Sequence, residues 1–293
     1  MNDKARKERR LDRLRRGVCC LLACLMLSML AVVGTSAETA LPNGATATRV
    51  YLDGREVLQG ECMIIDSITY VPLRSFCNLL DECRISWNGV TATATVKSDH
   101  LTLTVQNNAL YIIANGHYFY TVGRVMNLNG RLYVPIRPLA RAFAEELSWN
   151  ASARCVELTS RGSVRAVKPA AYASDEVYWL SRIISAEAKG ESLKGQIAVG
   201  NVVLNRVRSS AYPNTIYGVI FDRKHGTQFS PVSYGTIYNR PTESAVIAAK
   251  ICLEGYTLSD SILFFLNPRI ATNNWIVRNR PFAFRIGNHD FYN

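Results

Sequence analysis

The feature that most constrains the fold of this chain is a sequence element that occurs twice between residues 49 and 160. The first copy reads YVPLR at 70–74 and the second reads YVPIR at 133–137, and each runs through an apolar stretch to Ser-Trp-Asn. Proline cannot donate to a strand ladder and suits the first turn of a helix, so each copy predicts a strand, a helix and a returning strand. We expect Trp87 and Trp149 to hold the returning strands on the core. The second copy is one residue shorter between its tyrosine and tryptophan, which predicts a shorter helix.

Local signals elsewhere in this region also favour strands. Asp53-Gly54 predicts a hairpin turn. The stretches 91–96 and 101–105 alternate between apolar and polar residues, as exposed or edge strands do. The repeat resembles the copper amine oxidase N-terminal-like domain, which implies a non-catalytic accessory module of small α+β fold over 49–160. Copper binding is not expected, because His100 and His117 lack the spacing of metal ligands.

The N-terminal 37 residues are typical of an export signal. Residues 1–16 carry eight Lys/Arg against three Asp/Glu, and an apolar stretch and the small residues Thr35 and Ala37 follow. This pattern predicts a cleaved signal peptide or a membrane anchor through residues 17–37, with the remainder secreted or associated with the cell wall. Of the net charge of +11, these 16 residues supply +5, so nucleic-acid binding is not expected of the rest. Residues 38–48 and 161–173 are predicted linkers.

The cysteines do not form a recognisable framework. Five lie outside the apolar N-terminal stretch, in odd number and without a Cys-x-x-Cys pair. We therefore expect buried thiols and neither a metal nor a cofactor.

A helical pattern begins at Ser174, which we expect to be the N-cap of the first helix. Ile183 and Ile184 belong to its apolar face, and Glu187 continues that face before Gly190 ends the helix. Burial disfavours the charged form of a carboxylate and raises its pKa, which is the condition for a general acid at neutral pH.

The alternative is a structural glutamate that caps a loop or pairs with Arg182 or Arg206. Further helices are predicted over about 193–207 and 242–253, followed by apolar strands. Aromatic, amide and hydroxyl side chains on the loops between them suit a sugar polymer, although some of the rings must fill the core. The residues expected to contact substrate are Glu191, Gln228, Phe229, Ser230, Tyr234, Asn267, Trp275 and His289.

Several short motifs together resemble the spore cortex-lytic enzyme SleB family of cell-wall hydrolases. They read ISAEAKGE at 184–191, AV at 198–199, VVLNRV at 202–207, YPNTI at 212–216, QFS at 228–230, NP at 267–268 and IGNHDF at 286–291. The resemblance covers nearly all of the predicted domain over 174–293. It implies a mainly helical, lysozyme-like fold with a small sheet, and cleavage between N-acetylmuramic acid and N-acetylglucosamine in spore cortex or wall remodelling. The family's catalytic glutamate falls on Glu187.

Two mechanisms remain open for glycan cleavage. Glycoside hydrolysis normally needs two carboxylates, and Glu191 lies four residues after Glu187, but Gly190 intervenes and Glu191 is expected outside the helix, where it caps the next one. One acid suffices for a lytic transglycosylase, which we favour. Inverting hydrolysis, with Glu191 or another acidic residue as the base, is the alternative.

Two other classes of protein compete with a glycan-cleaving enzyme. A non-catalytic protein could hold peptidoglycan glycan strands with both modules. An amidase or peptidase would need a nucleophile such as Cys252 beside His225 or His289.

Overall fold

The computed structural model describes residues 41–162, 165–224, 226–273 and 275–293. The predicted export signal over 1–37 lies outside these residues. Within them, no helix is both long and apolar enough to cross a membrane. Asn43–Asn293 form one compact unit that contains both helices and sheets.

Short strands dominate the N-terminal part of this unit. Its elements are β1 Thr46–Ala47, β2 Arg49–Leu52, β3 Arg55–Val57, β4 Met63–Ile65, β5 Ile68–Pro72, α1 Leu73–Leu80, β6 Arg84–Asn88, β7 Thr93–Lys97, β8 Thr102–Gln106, β9 Tyr111–Ala114, β10 His117–Tyr120, β11 Met126–Leu128, β12 Arg131–Pro135, α2 Ile136–Ala142, β13 Glu146–Asn150 and β14 Cys155–Thr159. They form three sheets with the orders β1-β4-β5-β12-β11, β10-β9-β8-β7-β6 and β13-β14-β2-β3. Only β14 and β2 pair in parallel among these described strands.

The structure confirms the repeat as a structural unit. In each copy the strand ends at the proline and a helix follows at once, and α2 has seven residues where α1 has eight. The strands β5 and β12 pair antiparallel, so that Val71 lies opposite Val134, its counterpart in the second copy. The two copies are therefore related by a local two-fold axis.

Two expectations for this region are wrong. Trp87 and Trp149 do not hold the core, because each lies at the end of an edge strand and is about half exposed (50% and 45%). The strands β7 and β8 are inner strands, and their alternation reflects one buried face rather than an edge position. The Asp53-Gly54 hairpin is confirmed, with positive φ angles of 48° and 79°.

The C-terminal part contains both helices and a small sheet. Its elements are α3 Ser174–Ala188, α4 Leu193–Arg208, α5 Ile216–Phe221, α6 Ser230–Ser233, a 3-10 helix Thr236–Tyr238, α7 Glu243–Leu253, β15 Phe264–Leu266, α8 Trp275–Asn279, β16 Phe282–Ile286 and β17 His289–Tyr292. The three strands form an antiparallel sheet in the order β15-β17-β16. Ser174 is the first helical residue and Ala173 is the N-cap, so the predicted serine cap is wrong.

Helices α3, α4 and α7 pack around one apolar core. Gly200 on α4 allows their close approach, because a Cβ there would lie 2.7 Å from Cys252 Sγ and 2.9 Å from Ile184 Cδ1. The five cysteines of the described residues are free thiols, and all but Cys83 are buried, as expected. This packing fixes the C-terminal end of α3, where Glu187 lies.

The two parts contact each other directly through a hub at Glu254, just after α7. Its carboxylate interacts with His117 Nδ1 of β10 at 2.7 Å and accepts from the Tyr172 hydroxyl. Arg141 of α2 donates to the Glu254 backbone oxygen at 3.1 Å. Nearby, the rings of Tyr120 and Tyr256 lie 4.5 Å apart, and Tyr120 belongs to the C-terminal core. Tyr172, which lies just before α3, also accepts a hydrogen bond from the Tyr118 backbone N–H at 3.2 Å, and so bonds to both parts.

Candidate active site

Glu187 lies in the last turn of α3, on the side of the helix that carries Ile183 and Ile184. Both isoleucines are completely buried, and Glu187 itself is half-buried. Burial raises the pKa of Glu187 to about 7 from its ordinary value of 4.5. A carboxyl group with this pKa can hold a proton at neutral pH and give it to a leaving group.

Neither arginine proposed as a structural partner pairs with Glu187. The Arg182 guanidinium stacks on the Tyr178 ring, 3.6 Å from its centroid. Arg206 donates to the Leu263 backbone oxygen at 2.8 Å. Among the described residues, the Glu187 carboxylate has neither an ion pair nor a hydrogen bond. Within the described part of the chain its burial is therefore not compensated by a charge, as is typical of a catalytic acid rather than of a structural ion pair.

Glu191 occupies the bend between α3 and α4, outside both helices. Its carboxylate accepts from the Asn288 side-chain amide at 2.9 Å and from the Asn288 backbone N–H at 3.3 Å. Ser192 caps α4 through a hydrogen bond from the Gly195 backbone, so the expectation that Glu191 provides this cap is wrong. Glu191 joins the helix bend to the turn between β16 and β17.

His289 begins β17 beside this contact. Its Nδ1 lies 3.9 Å from the Glu191 carboxylate, which is too long for a hydrogen bond. Burial lowers the pKa of His289. The ring packs edge-on against Phe265, with centroids 5.4 Å apart. His289 and Glu191 thus lie together, with a neutral imidazole at physiological pH.

Arg206 organises a second group of predicted substrate residues. Its guanidinium lies over the rings of Phe229 and Phe264, at 5.1 and 5.5 Å from their centroids. Its Nη1 donates to Gln228 Oε1 at 3.5 Å. The buried arginine holds the Gln228-Phe229 loop next to strand β15, and Phe229 is a core residue rather than an exposed contact.

The remaining predicted contacts lie on exposed loops and helix ends. Ser230 is the first residue of α6, and Tyr234 is 79% exposed just after it. Asn267 follows β15, where its side chain accepts from the Arg269 backbone at 3.0 Å. Trp275 begins α8 and is 49% exposed, with its ring 6.3 Å from that of Phe264. Helix α6, which begins at Ser230, packs against α3, but among the described residues no hydrogen bond joins these four side chains to Glu187.

Sequence reasoning missed the turn that holds Glu191. Gly287 has a φ of 57°, and a Cβ there would lie 1.8 Å from Glu191 Oε2. A Gly-Asn pair between two apolar strands is a hairpin signal, and it would have placed Asn288 at the turn. The partner of that turn lies 97 residues away, so no local pattern could have identified Glu191 as that partner.

Comparison with known families confirms both resemblances seen in the sequence. Residues 190–292 match the family profile described as Cell Wall Hydrolase, and residues 51–158 match the copper amine oxidase N-terminal domain. Cell wall hydrolase CwlJ of Bacillus subtilis (strain 168) is 30% identical over 126 residues, which cover 85% of that protein and 41% of this chain. The chain belongs to the cell wall hydrolase family.

Other relatives match the same cell wall hydrolase region. The spore cortex-lytic enzyme of Bacillus subtilis (strain 168) is 36% identical over 129 residues, or 44% of this chain. The chain spans 41% of the length of that relative. The solved catalytic domain of the germination-specific lytic transglycosylase SleB from Bacillus anthracis is 36% identical, and the match covers 43% of this chain and 100% of that chain with a TM-score of 0.39. The family profile begins at Gly190 and does not include Glu187.

Proposed function

We propose that this protein is an exported enzyme that cuts peptidoglycan glycan strands between N-acetylmuramic acid and N-acetylglucosamine, with Glu187 as its acid. The observation that carries the proposal is the uncompensated burial of Glu187 at the end of α3, which raises its pKa to about 7. Membership of the cell wall hydrolase family supports peptidoglycan as the substrate. The relatives named spore cortex-lytic enzymes favour spore cortex as the form of peptidoglycan that is cut. The proposal also includes a lysozyme-like fold for the domain over 174–293 and a location of the protein outside the cytoplasmic membrane.

Lytic transglycosylation is the reaction that the acidic side chains support best. Protonated Glu187 gives its proton to the glycosidic oxygen as the bond from that oxygen to muramic C1 breaks. The resulting carboxylate takes the proton of the muramic C6 hydroxyl, whose oxygen attacks C1 and closes a 1,6-anhydro ring. Glu187 ends protonated again, and neither water nor a second carboxylate is consumed.

Two acidic side chains near the helix bend, Glu191 and Asp290, are already engaged. Glu191 accepts two hydrogen bonds from Asn288. Asp290 forms a two-point ion pair with Arg285, whose Nη2 donates to Oδ2 at 2.7 Å. Either of these two residues would have to leave its partner to act as the general base of inverting hydrolysis. Inverting hydrolysis is therefore the second candidate mechanism.

Mass spectrometry of the soluble products from purified cortex and vegetative peptidoglycan tests this proposal. We expect 1,6-anhydro products from the wild-type chain and none from Glu187→Gln. Glu176→Gln, at an exposed position in the first turn of the same helix, is the matched control, and it should retain the anhydro products. Products with reducing ends would show that the mechanism is hydrolysis rather than transglycosylation. The absence of cleavage on every wall type would refute the proposal that the protein is an enzyme.

A further inference from the structure

A groove of about 560 Å³ lies where the N-terminal part contacts the C-terminal part. Its volume is within the range of about 300–1,000 Å³ that is usual for ligand sites. Its walls come from the β4–β5 hairpin, the end of β10, helix α2 and the β13–β14 hairpin of the N-terminal part, and from Tyr256 of the C-terminal part. We propose that this groove binds a peptidoglycan strand through its sugar rings and the carboxylates of its stem peptides.

The charge of the groove favours an anionic ligand. Arg137, Arg141 and Arg154 line it, and no Asp or Glu is among its lining residues. Arg141 is partly engaged, since its guanidinium lies 4.3 Å from the centre of the Phe119 ring and it donates to Glu254. Arg137 and Arg154 are exposed, and within the described part of the chain neither forms an ion pair. Two guanidinium groups are thus available for carboxylates, which they can bind with two parallel hydrogen bonds.

The aromatic lining favours a sugar polymer over a simple anion. Trp149 is 45% exposed in the groove, and Tyr256 closes the side formed by the C-terminal part. An exposed indole beside cationic side chains offers an apolar face to a pyranose ring while the arginines bind its acidic substituents. A phosphate or a small organic acid would use the arginines and leave the ring unused.

The position of the groove identifies the polymer. Tyr256 lies three residues after α7, whose helix packs directly on α3, the helix that carries Glu187. A glycan strand held in the groove is therefore bound by the same compact unit that carries the acid, and peptidoglycan supplies both sugar rings and carboxylates. This assignment rests on the proposed function for its choice of ligand. The phosphates of teichoic acid are the competing source of negative charge.

The sequence repeat provides matched controls. Trp87 and Arg74 are the counterparts of Trp149 and Arg137 in the first copy, and both are exposed. Neither lines the groove. Making the same substitutions in the two copies therefore distinguishes the contribution of the groove to binding from the general effects of losing a surface tryptophan or a positive charge.

The experiment is cosedimentation of the full chain with insoluble peptidoglycan that has been stripped of teichoic acid. All variants carry Glu187→Gln, so that cleavage does not remove the binding polymer. Trp149→Ala and Arg137→Gln should each weaken binding about tenfold or more. Trp87→Ala and Arg74→Gln should bind within about twofold of their parent.

Three outcomes would overturn the proposal. Equal binding by groove and control variants would remove the groove as the site. Binding only to walls that retain teichoic acid would show that the anion is phosphate. An amidase can remove the stem peptides from the glycan strands. Undiminished binding to such strands would show that the groove does not recognise the carboxylates of the stem peptides.

The proposed function is measured separately. With Glu187 intact, cleavage of soluble short glycan fragments should proceed with the same kcat in the control Trp87→Ala, which lies outside the groove, and in the wild type. If the wild type fails to cleave these fragments while the groove variants still lose binding, the proposed function fails and the groove stands.

Discussion

Replacing Glu187 with Gln should abolish cleavage and at the same time stabilise the fold. Burial raises the pKa of Glu187 from 4.5 to about 7, so the folded protein holds this proton more tightly than the unfolded chain does. Each pKa unit corresponds to about 1.4 kcal/mol, and the ionised side chain therefore costs the fold about 3 kcal/mol above pH 7. Glutamine is neutral at every pH and removes that cost.

The size of this stabilisation depends on pH in a defined way. Below pH 4.5 the glutamate is protonated in both states, and the variant should have nearly the stability of the wild type. Between pH 4.5 and 7 the unfolded chain has lost the proton and the folded chain retains it, so wild-type stability falls relative to the variant. The full difference of about 3 kcal/mol is reached above pH 7.

Urea unfolding of the full chain at pH 4, 6 and 8 measures this difference directly. Glu191→Gln is the matched control, because the same chemical change there weakens the hydrogen bonds from Asn288 and should destabilise the fold by about 1–3 kcal/mol. A Glu187→Gln variant that is neutral or less stable than the wild type at pH 8 would refute burial as the cause of the raised pKa.

Three further perturbations test other parts of the structure. Because the acid must be protonated, kcat/KM should fall about tenfold per pH unit above pH 7; a constant value to pH 9 would contradict Glu187 as the acid. Gly287→Ala should lower the unfolding free energy by about 2 kcal/mol or more in urea, since its Cβ would lie 1.8 Å from Glu191 Oε2; an unchanged midpoint would contradict this contact. Glu254→Gln should cost about 1–3 kcal/mol in the same assay through its bond to His117, and a neutral result would show that this hub does not stabilise the unit.

Local sequence signals predicted the elements around Glu187 well. The helix predicted over 193–207 is Leu193–Arg208, and the one predicted over 242–253 is Glu243–Leu253 with Thr242 as its cap. The apolar spacing before Glu187 correctly indicated the buried side of α3. These features depend on residues three or four positions apart, which a sequence displays directly.

Contacts between distant segments could not be predicted in the same way. The bonds from Asn288 to Glu191 and the docking of Tyr120 on Tyr256 join residues that are far apart in the chain. The exposure of Trp149 depends on which strand lies at the edge of its sheet, and strand order is not encoded in any one strand. These long-range contacts and the order of the strands determine where the groove and the helix bend lie.

The pairing of Val71 with Val134 bears on how the N-terminal part arose. A strand that pairs antiparallel with its own copy through the same residue has the geometry of a symmetric dimer. A single ancestral half could therefore have assembled with a second identical chain before the two halves were fused into one. Once fused, the halves were free to diverge, and only the later copy contributes its tryptophan to the groove beside Tyr256. In that history, duplication turns a surface for self-association into the interior of a single chain and leaves one half available for a new role.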